Sequence, residues 1–322
     1  MTILETINEK FPIRRSDKQK EAFRKWVMAE MNAMGYRAHV EENDKGKHRN
    51  VIAGDPESAE LTVTAHYDTP ACIGIPNLMI PRNWAVYYLY QILVIGGMIV
   101  IALAAGLAIG AVLQDQRGML IGYFGVYMAL LLLMLYGPAN KHNVNDNTSG
   151  VAAVLETMAR IPVEQRPKIA FILFDNEEKG CRGSKAYARE HLQMQHIKLV
   201  VNLDCVGVGE HFIVSSPRLA RNMEQYELLE QVLSECKDRT AHFYSSFTTR
   251  GNSDYRSFKC GVGISAYRMV SGVGFYTGAI HTARDTQADQ GNIEYLAQAL
   301  SETIARLTSG AQEALGDGQT DA

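Results

Sequence analysis

Cysteine is scarce and shows no pattern. The five residues, Cys72, Cys181, Cys205, Cys236 and Cys260, are odd in number and none forms a CxxC pair. A disulfide framework is not expected, and a reducing compartment suits the chain. Positive charge is not in excess: 32 Lys and Arg against 35 Asp and Glu leave a net charge of −3. No basic run carries interleaved aromatics, so no nucleic-acid partner is expected. A glycine-rich phosphate loop and internal repeats are also lacking. The opening stretch MTILETINEKFPIRR places charges before any apolar h-region, so no secretory signal peptide is expected.

Charge is lacking altogether in two long stretches. No side chain from Trp84 to Leu113 is charged, and after the short turn QDQR the same holds from Gly118 to Gly137. As helix, the first run would be about 45 Å long, more than the roughly 30 Å of a bilayer's hydrocarbon core. Uncharged runs of this length rarely belong to soluble cores. Small residues recur at helical spacing, Gly106-x-x-x-Gly110 and Gly118-x-x-x-Gly122, where two backbones can approach closely in lipid. The expectation is a transmembrane hairpin over 83–137, with tilt or an interfacial end near Tyr87 and Tyr88 absorbing the excess length. The same spacing suits pairing between two chains, so a homo-oligomer is also an expectation. A hairpin returns the chain to the side it left. Arg82, Lys141 and His142 flank it there, against Arg117 in the turn, and this bias favours a cytoplasmic body.

Outside the hairpin, strand-like and helical patterns alternate. Ser16-x-x-Gln19 is a capping box opening a helix that Gly35 stops. Apolar runs follow at 50–54, 61–66, 168–174, 199–203, 212–215 and 262–267, with helical patterns at 149–160, 184–194, 219–237 and 291–309. The alternation predicts an α/β layered fold with a largely parallel sheet over 1–82 and 138–309, and a flexible tail over 310–322.

Such sheets place their ligand sites at the carboxyl ends of strands. LTVTA ends in His66-Tyr-Asp68, KIAFILF in Asp175-Asn-Glu177-Glu178, and LVVNL in Asp204. Asn145-Asp146-Asn147 enters the helix at 149, and His281-Thr-Ala-Arg-Asp285-Thr precedes the last helix. Five places thus deliver carboxylate or imidazole to one edge of the sheet. A pair of divalent ions, with zinc the expected metal, needs about two terminal ligands each and one shared carboxylate. His66, Asp204, Glu178 and His281 can be terminal ligands, with Asp146 as the bridge. Metal-bound histidines usually donate to a carboxylate, and Asp68 and Asp285 are close enough in sequence to serve. Glu177 remains as a general base. The remaining histidines, 39, 48, 142, 191, 196, 211 and 242, read as ordinary surface or core residues.

In order and type, the segments HYD, NDNTSG, NEEKGCRGS, NLDCVG and HTARDT resemble the motifs of M28-family co-catalytic zinc aminopeptidases. The likeness covers the chain except the hairpin and tail. It implies a three-layer phosphorylase/hydrolase-like fold with a central eight-stranded sheet. It also implies removal of N-terminal residues from a peptide or aminoacyl substrate. Matched residue by residue, the resemblance puts His66 and Asp204 on one metal, Glu178 and His281 on the other, Asp146 between them and Glu177 as base. Cys205, Phe275, Tyr276 and Ile280 are implied as pocket lining.

Three departures from the family pattern stand out. His66 and Asp146 are eighty residues apart, where about twenty is usual, because the hydrophobic hairpin lies between them. Ser253-Asp254-Tyr255-x-x-Phe258 is similar to the family's SDH-x-x-F with Tyr for His, and Cys205 follows Asp204 where methionine is frequent. Two other functions compete: a glutaminyl-cyclase-like enzyme with one zinc, and an inactive membrane-anchored scaffold. Glutaminyl cyclases keep HYD but lack the NDN-x-SG and HT-x-x-DT forms, and a scaffold would have lost ligands.

Overall fold

A computed structural model describes residues 1–194, 198–235 and 239–317. His196, Cys236, the last two positions of the helix expected at 219–237, and the end of the tail lie outside the described residues. The described cysteines form no disulfide.

The chain begins with a helix the sequence reading did not include, α1 (Ile3–Lys10). It opens on a reciprocal capping box between Thr2 and Glu5. The expected helix α2 (Asp17–Ala33) has the same device in Ser16 and Gln19, and Gly35 beyond its end takes φ of 88°. Strands β1 (Ala38–Asn43), β2 (His48–Ala53) and β3 (Leu61–His66) follow. Helices α3 (Trp84–Leu113) and α4 (Gln116–Tyr136) form the predicted hairpin. After them come α5 (Gly150–Arg160), β4 (Ile169–Phe174), α6 (Arg182–Glu190), β5 (Leu199–Leu203) and β6 (His211–Ser216). The chain then runs through α7 (Arg218–Arg221), α8 (Glu224–Glu235), β7 (Thr240–Ser245), β8 (Gly261–Val270), β9 (Gly274–Tyr276) and α9 (Gln290–Asp317). The last helix thus extends past Ser309, where the sequence pattern ends it.

Eight strands lie in the order β1-β2-β4-β3-β5-β8-β6-β7, and β9 adds a ninth by pairing with β8. The sheet is mixed and mostly parallel at its centre, where β4, β3, β5 and β8 run the same way. Every residue of β3, β4 and β5 is buried, as expected of parallel strands covered on both faces. The main core includes Phe23, Val63, Leu155, Phe171, Val201 and Leu300, where α2, α5 and α9 meet the sheet. The strands missed by sequence are those at or beyond the sheet's rim. In β1 (AHVEEN) and β7 (TAHFYS) polar residues interrupt any apolar run, because an edge strand has less to bury.

Neither hairpin helix is a core helix. In the most apolar 18-residue window of each, 11% of the residues are buried. The two helices are long and apolar enough to cross a membrane. They pack on each other through the predicted glycines: a Cβ on Gly106 would sit 2.7 Å from the Met119 carbonyl oxygen, and one on Gly122 3.2 Å from Gly106 Cα. The glycine spacing therefore serves contact within the hairpin. Both ends of the insertion are tied to the sheet domain. Ala71 bridges Ala139, Met79 bridges Thr277, and the Cys72 and Asn140 amides donate to Pro138 and Pro70 carbonyls at 2.8 and 3.1 Å.

Candidate metal centre

Because β4, β3 and β5 are adjacent and parallel, their carboxyl ends share one edge, with His66 in register beside Phe174. That register brings His66, the loop 175–178 and Asp204 together. Asp146 lies in a short irregular turn (Val144–Ser149) leading into α5, and the Asp146–Asn147 peptide bond is cis. His281 comes from the loop after β9. The amide of Ile73, on the segment leading to the hairpin, donates to its carbonyl at 2.6 Å.

The five expected ligands converge. His66 Nε2 is 3.3 Å from Asp146 Oδ1 and 3.6 Å from Asp204 Oδ1. His281 Nε2 is 3.0 Å from Asp146 Oδ2 and 3.3 Å from Glu178 Oε2. Asp146 thus turns one oxygen to each histidine. The donors fall into two triads that share it, His66–Asp146–Asp204 and Asp146–Glu178–His281, and a third grouping joins His66 to Glu177 and Glu178. A tetrahedral zinc ion with bonds of about 2.0–2.1 Å holds its donors roughly 3.3 Å apart, and the spacings here straddle that value. Oxygen and imidazole nitrogen are the donors that zinc takes.

Charge makes the same case. Asp68, Asp146 and Asp285 are almost fully buried, and Glu178 Oε1 is buried without a hydrogen-bond partner among the described residues. Burial, then repulsion by Asp146 and Glu177, pushes Glu178 well above the usual carboxylate range. Burial also leads for Glu177, and Asp254, Asp204 and Asp68 add to its upward shift. Burial acts against a charge on His66, but hydrogen bonds to Asp146, Asp204 and Asp68 outweigh it and carry the imidazole well above its ordinary value. For Asp146, burial is outweighed by hydrogen bonds to His281 and His66, which hold it below the usual range. A crowd of acids that raise one another's proton affinity is a set that cations would stabilise.

The two supporting aspartates do more for the backbone than for the histidines. Asp68 accepts from the Glu177 and Glu178 amides at 2.9 and 3.3 Å. Its carboxylate lies 3.7 Å from His66 Nδ1, which faces the Asp68 backbone carbonyl at 3.2 Å. Asp285 accepts from the Asn145 and Asp146 amides at 2.8 and 3.0 Å, and burial raises it to about 7. Each aspartate thereby fixes a ligand-bearing loop.

Several supporting residues had no role assigned from the sequence. Asn147 bonds the Leu203 carbonyl at 2.9 Å and accepts from the Gly150 and Cys205 amides at 3.0 and 3.2 Å. It locks Asp146 to the end of β5. Any Cβ on Gly150 would fall 2.4 Å from Asn147 Oδ1 and Leu203 O. Arg14 is wholly buried and reaches Thr148 Oγ1 at 3.1 Å and the Phe11 carbonyl at 2.8 Å; burial lowers it to about 10 although Asp68, Asp146 and Asp285 oppose the shift. Lys20 from α2 meets Asp175 Oδ1 at 2.7 Å with both side chains buried. Asp175 also accepts from the Arg49 amide at 3.1 Å, so it braces the acidic turn.

A cavity of about 360 Å³ opens over these donors. Cys205 and Ile280 line it as expected, but Phe275 and Tyr276 do not. Phe275 instead packs beside Ile213 and Tyr267 and against His211 and His242, because β9 turns it back onto the sheet. Burial, reinforced by Asp146 and Asp204, keeps Cys205 a neutral thiol. From the SDY segment, Tyr255 is in the cavity wall with its hydroxyl 3.2 Å from Ser215 Oγ. Asp254 is buried, its two oxygens have no hydrogen-bond partner among the described residues, and burial raises it to about 7. Of the seven non-glycine residues with positive φ among the described residues, Asn176, Cys181, Cys205 and His281 lie on the loops of this site. Strain of about 1–2 kcal/mol at such a position is held where chemistry is placed.

Among solved structures, the fold is similar to a glutaminyl cyclase from Porphyromonas gingivalis, with a TM-score of 0.59 and 15% identity over 95% of this chain and 96% of that one. It is equally similar to the LapA aminopeptidase of Legionella pneumophila, with a TM-score of 0.59 and 12% identity over 95% and 69% of the two chains. A leucine aminopeptidase precursor from Bacteroides thetaiotaomicron gives 0.55 and 16% identity over 94% of each. At these identities the likeness establishes the fold alone. No match was found among curated protein sequences. The sequence profile described as Peptidase family M28 matches residues 134–305, more than half of the chain. The residues that supply Asp146, Glu177, Glu178, Asp204 and His281 all fall within that span, and the chain belongs to peptidase family M28.

Proposed function

We propose that the protein is a membrane-anchored, two-metal aminopeptidase, with zinc as its metal and Glu177 as general base. The observation that carries this reading is the placement of Asp146, one carboxylate shared by two donor triads, with Glu177 in the same cavity. His66 and Asp204 would hold one dication, Glu178 and His281 the other, and Asp146 both. When bound, the ions would supply Lewis acidity, making a water more acidic and neutralising charge that develops on the scissile carbonyl oxygen.

The protein's own groups do the rest. Glu177 is steered by the Asp68 carboxylate at its amide and by the Cys181 thiol, which donates to Oε1 at 3.3 Å. A Glu177 carboxylate oxygen takes the proton of the attacking water and then passes it to the leaving amine. At about 360 Å³ the cavity lies near the small end of ligand pockets, which suits the end of a peptide better than its middle. The hairpin lies in the bilayer, and with Arg82, Lys141 and His142 on the side of the body, that body faces the cytoplasm.

Hydrolysis of aminoacyl chromogenic substrates, abolished by a chelator and restored by zinc, is the test. Glu177→Gln should keep two zinc ions per chain while kcat falls about 10²–10⁴-fold; wild-type turnover in that variant would overturn the assignment. The fold's likeness to a glutaminyl cyclase favours one rival. One zinc per chain and closure of N-terminal glutamine, without aminoacyl hydrolysis, would establish that rival instead.

A further inference from the structure

The cavity over the metal donors does not end at the sheet domain. Its wall includes Asn77, Met79 and Pro81, from the segment that becomes α3 three residues later at Trp84. Beside it in the wall is the loop carrying Thr249, Arg250, Gly251 and Asn252, whose Arg250 amide donates to the Pro81 carbonyl at 2.8 Å. The same four residues and Met79 also line a neighbouring groove of about 480 Å³, completed by Trp84, Tyr87, Phe247 and Arg256. Cavity and groove therefore adjoin across Met79 and the 249–252 loop, and together they span the distance from the donors to the base of the hairpin.

That base is held in place. The Arg250 guanidinium lies 3.8 Å from the centre of the Trp84 ring and donates to the Tyr88 hydroxyl. Arg82 sits 4.1 Å over Tyr244 and donates to the Thr248 carbonyl at 2.8 Å. Asn83 reaches the Gly272 carbonyl at 3.3 Å. Cations stacked on aromatic faces in several places give the junction a defined geometry. At the outer end of the groove, Phe247 is 87% exposed, and Trp84 and Tyr88 are 43% and 46% exposed. Aromatic rings and arginines at the foot of an apolar helix are the side chains that rest at a membrane surface.

We infer that the substrate is a peptide held at the bilayer: its free N-terminus enters the metal cavity, and its following residues lie in the Trp84–Phe247 groove and continue into lipid. The inference rests on the aminopeptidase reading and on the hairpin spanning a bilayer. It narrows the substrate class to membrane-anchored or amphiphilic peptides. Anchoring also confines enzyme and substrate to one surface, so encounter gains from effective concentration, and the groove adds orientation to that gain.

The test uses the full chain reconstituted into phosphatidylcholine vesicles. Two peptides share their first six residues. One is soluble, and the other continues into a hydrophobic anchor in the same vesicles. A third carries a long Gly/Ser spacer before the anchor and reports co-localisation alone. The short anchored peptide is expected to exceed both others in kcat/KM by at least about tenfold, and Phe247→Asp to reduce that ratio at least about fivefold. A photoreactive group at the third residue of the anchored peptide should label the 246–252 loop. Equal rates for the short and long-spacer peptides, or a ratio untouched by Phe247→Asp, would overturn the inference while the aminopeptidase stands. Labelling of the loop without hydrolysis of any substrate would sink the aminopeptidase and keep the groove. Absence of labelling would overturn the groove in either case.

Discussion

The candidate metal centre and the hairpin break the usual rule for what lies inside a protein, in opposite directions. At the centre, carboxylates that belong in water are buried and crowded. On the hairpin, Val100, Leu107 and Ile121 are 60% exposed or more although they belong in a core. A buried charge demands an opposite charge, and an exposed apolar face demands an apolar solvent. On the proposed reading, dications would meet the first demand and lipid the second. The lesson is that misplacement of a residue type identifies the chemistry of what completes it.

The strongest way to break the comparison is to remove the shared carboxylate. Asp146→Ala takes a ligand from both triads, so zinc affinity should fall by at least about 100-fold and hydrolysis should vanish; isothermal titration and the chromogenic assay report both. Next comes the buried ion pair. Lys20→Met leaves Asp175 buried and uncompensated, and should cost about 3–5 kcal/mol in chemical denaturation of the zinc-loaded protein.

On the hairpin, Val100→Lys puts a charge near the middle of α3. In a bilayer this should oppose insertion by about 3 kcal/mol, read as the inserted fraction in microsomes. An effect within about 0.5 kcal/mol would mark α3 as an ordinary surface helix.

A smaller effect sharpens the comparison through pH. Asp254 and Asp285 are raised to about 7 by burial, while unfolded carboxylates release their protons near 4. Between those values the metal-free native state holds more protons than the unfolded state, so its stability falls as pH rises. The upward shift of His66 acts in the same direction. With chelator present, Tm should drop by at least about 5 °C between pH 5 and pH 8, and zinc should abolish the drop. A Tm that rises with pH in chelator would contradict the buried-acid account.

Of the candidate site residues, His66 after LTVTA, Glu177 and Glu178 after KIAFILF, and Asp204 after LVVNL were legible because they stand at the ends of recognisable apolar runs. The hairpin was legible from missing charge. Arg14 and Lys20 were not, since an arginine or lysine in a polar segment near a helix start looks like a solvated one until distant partners arrive beside it. Their partners lie more than 100 residues away for Lys20–Asp175 and Arg14–Thr148. The pocket residues Phe275 and Tyr276 were misplaced for a related reason. Side-chain direction on β9 follows from its pairing with β8, which no local pattern records.

The place of the hairpin in the chain sets an order of assembly. His66 is translated before α3 and α4, whereas Asp146, Glu177, Glu178, Asp204 and His281 leave the ribosome after them. No ribosome-bound intermediate can own a finished site until both arms have emerged, and β3 must wait for β4 and β5, its neighbours in the sheet, while the hairpin finds its destination. Biogenesis thereby postpones completion of the candidate site until both arms of the hairpin have been made.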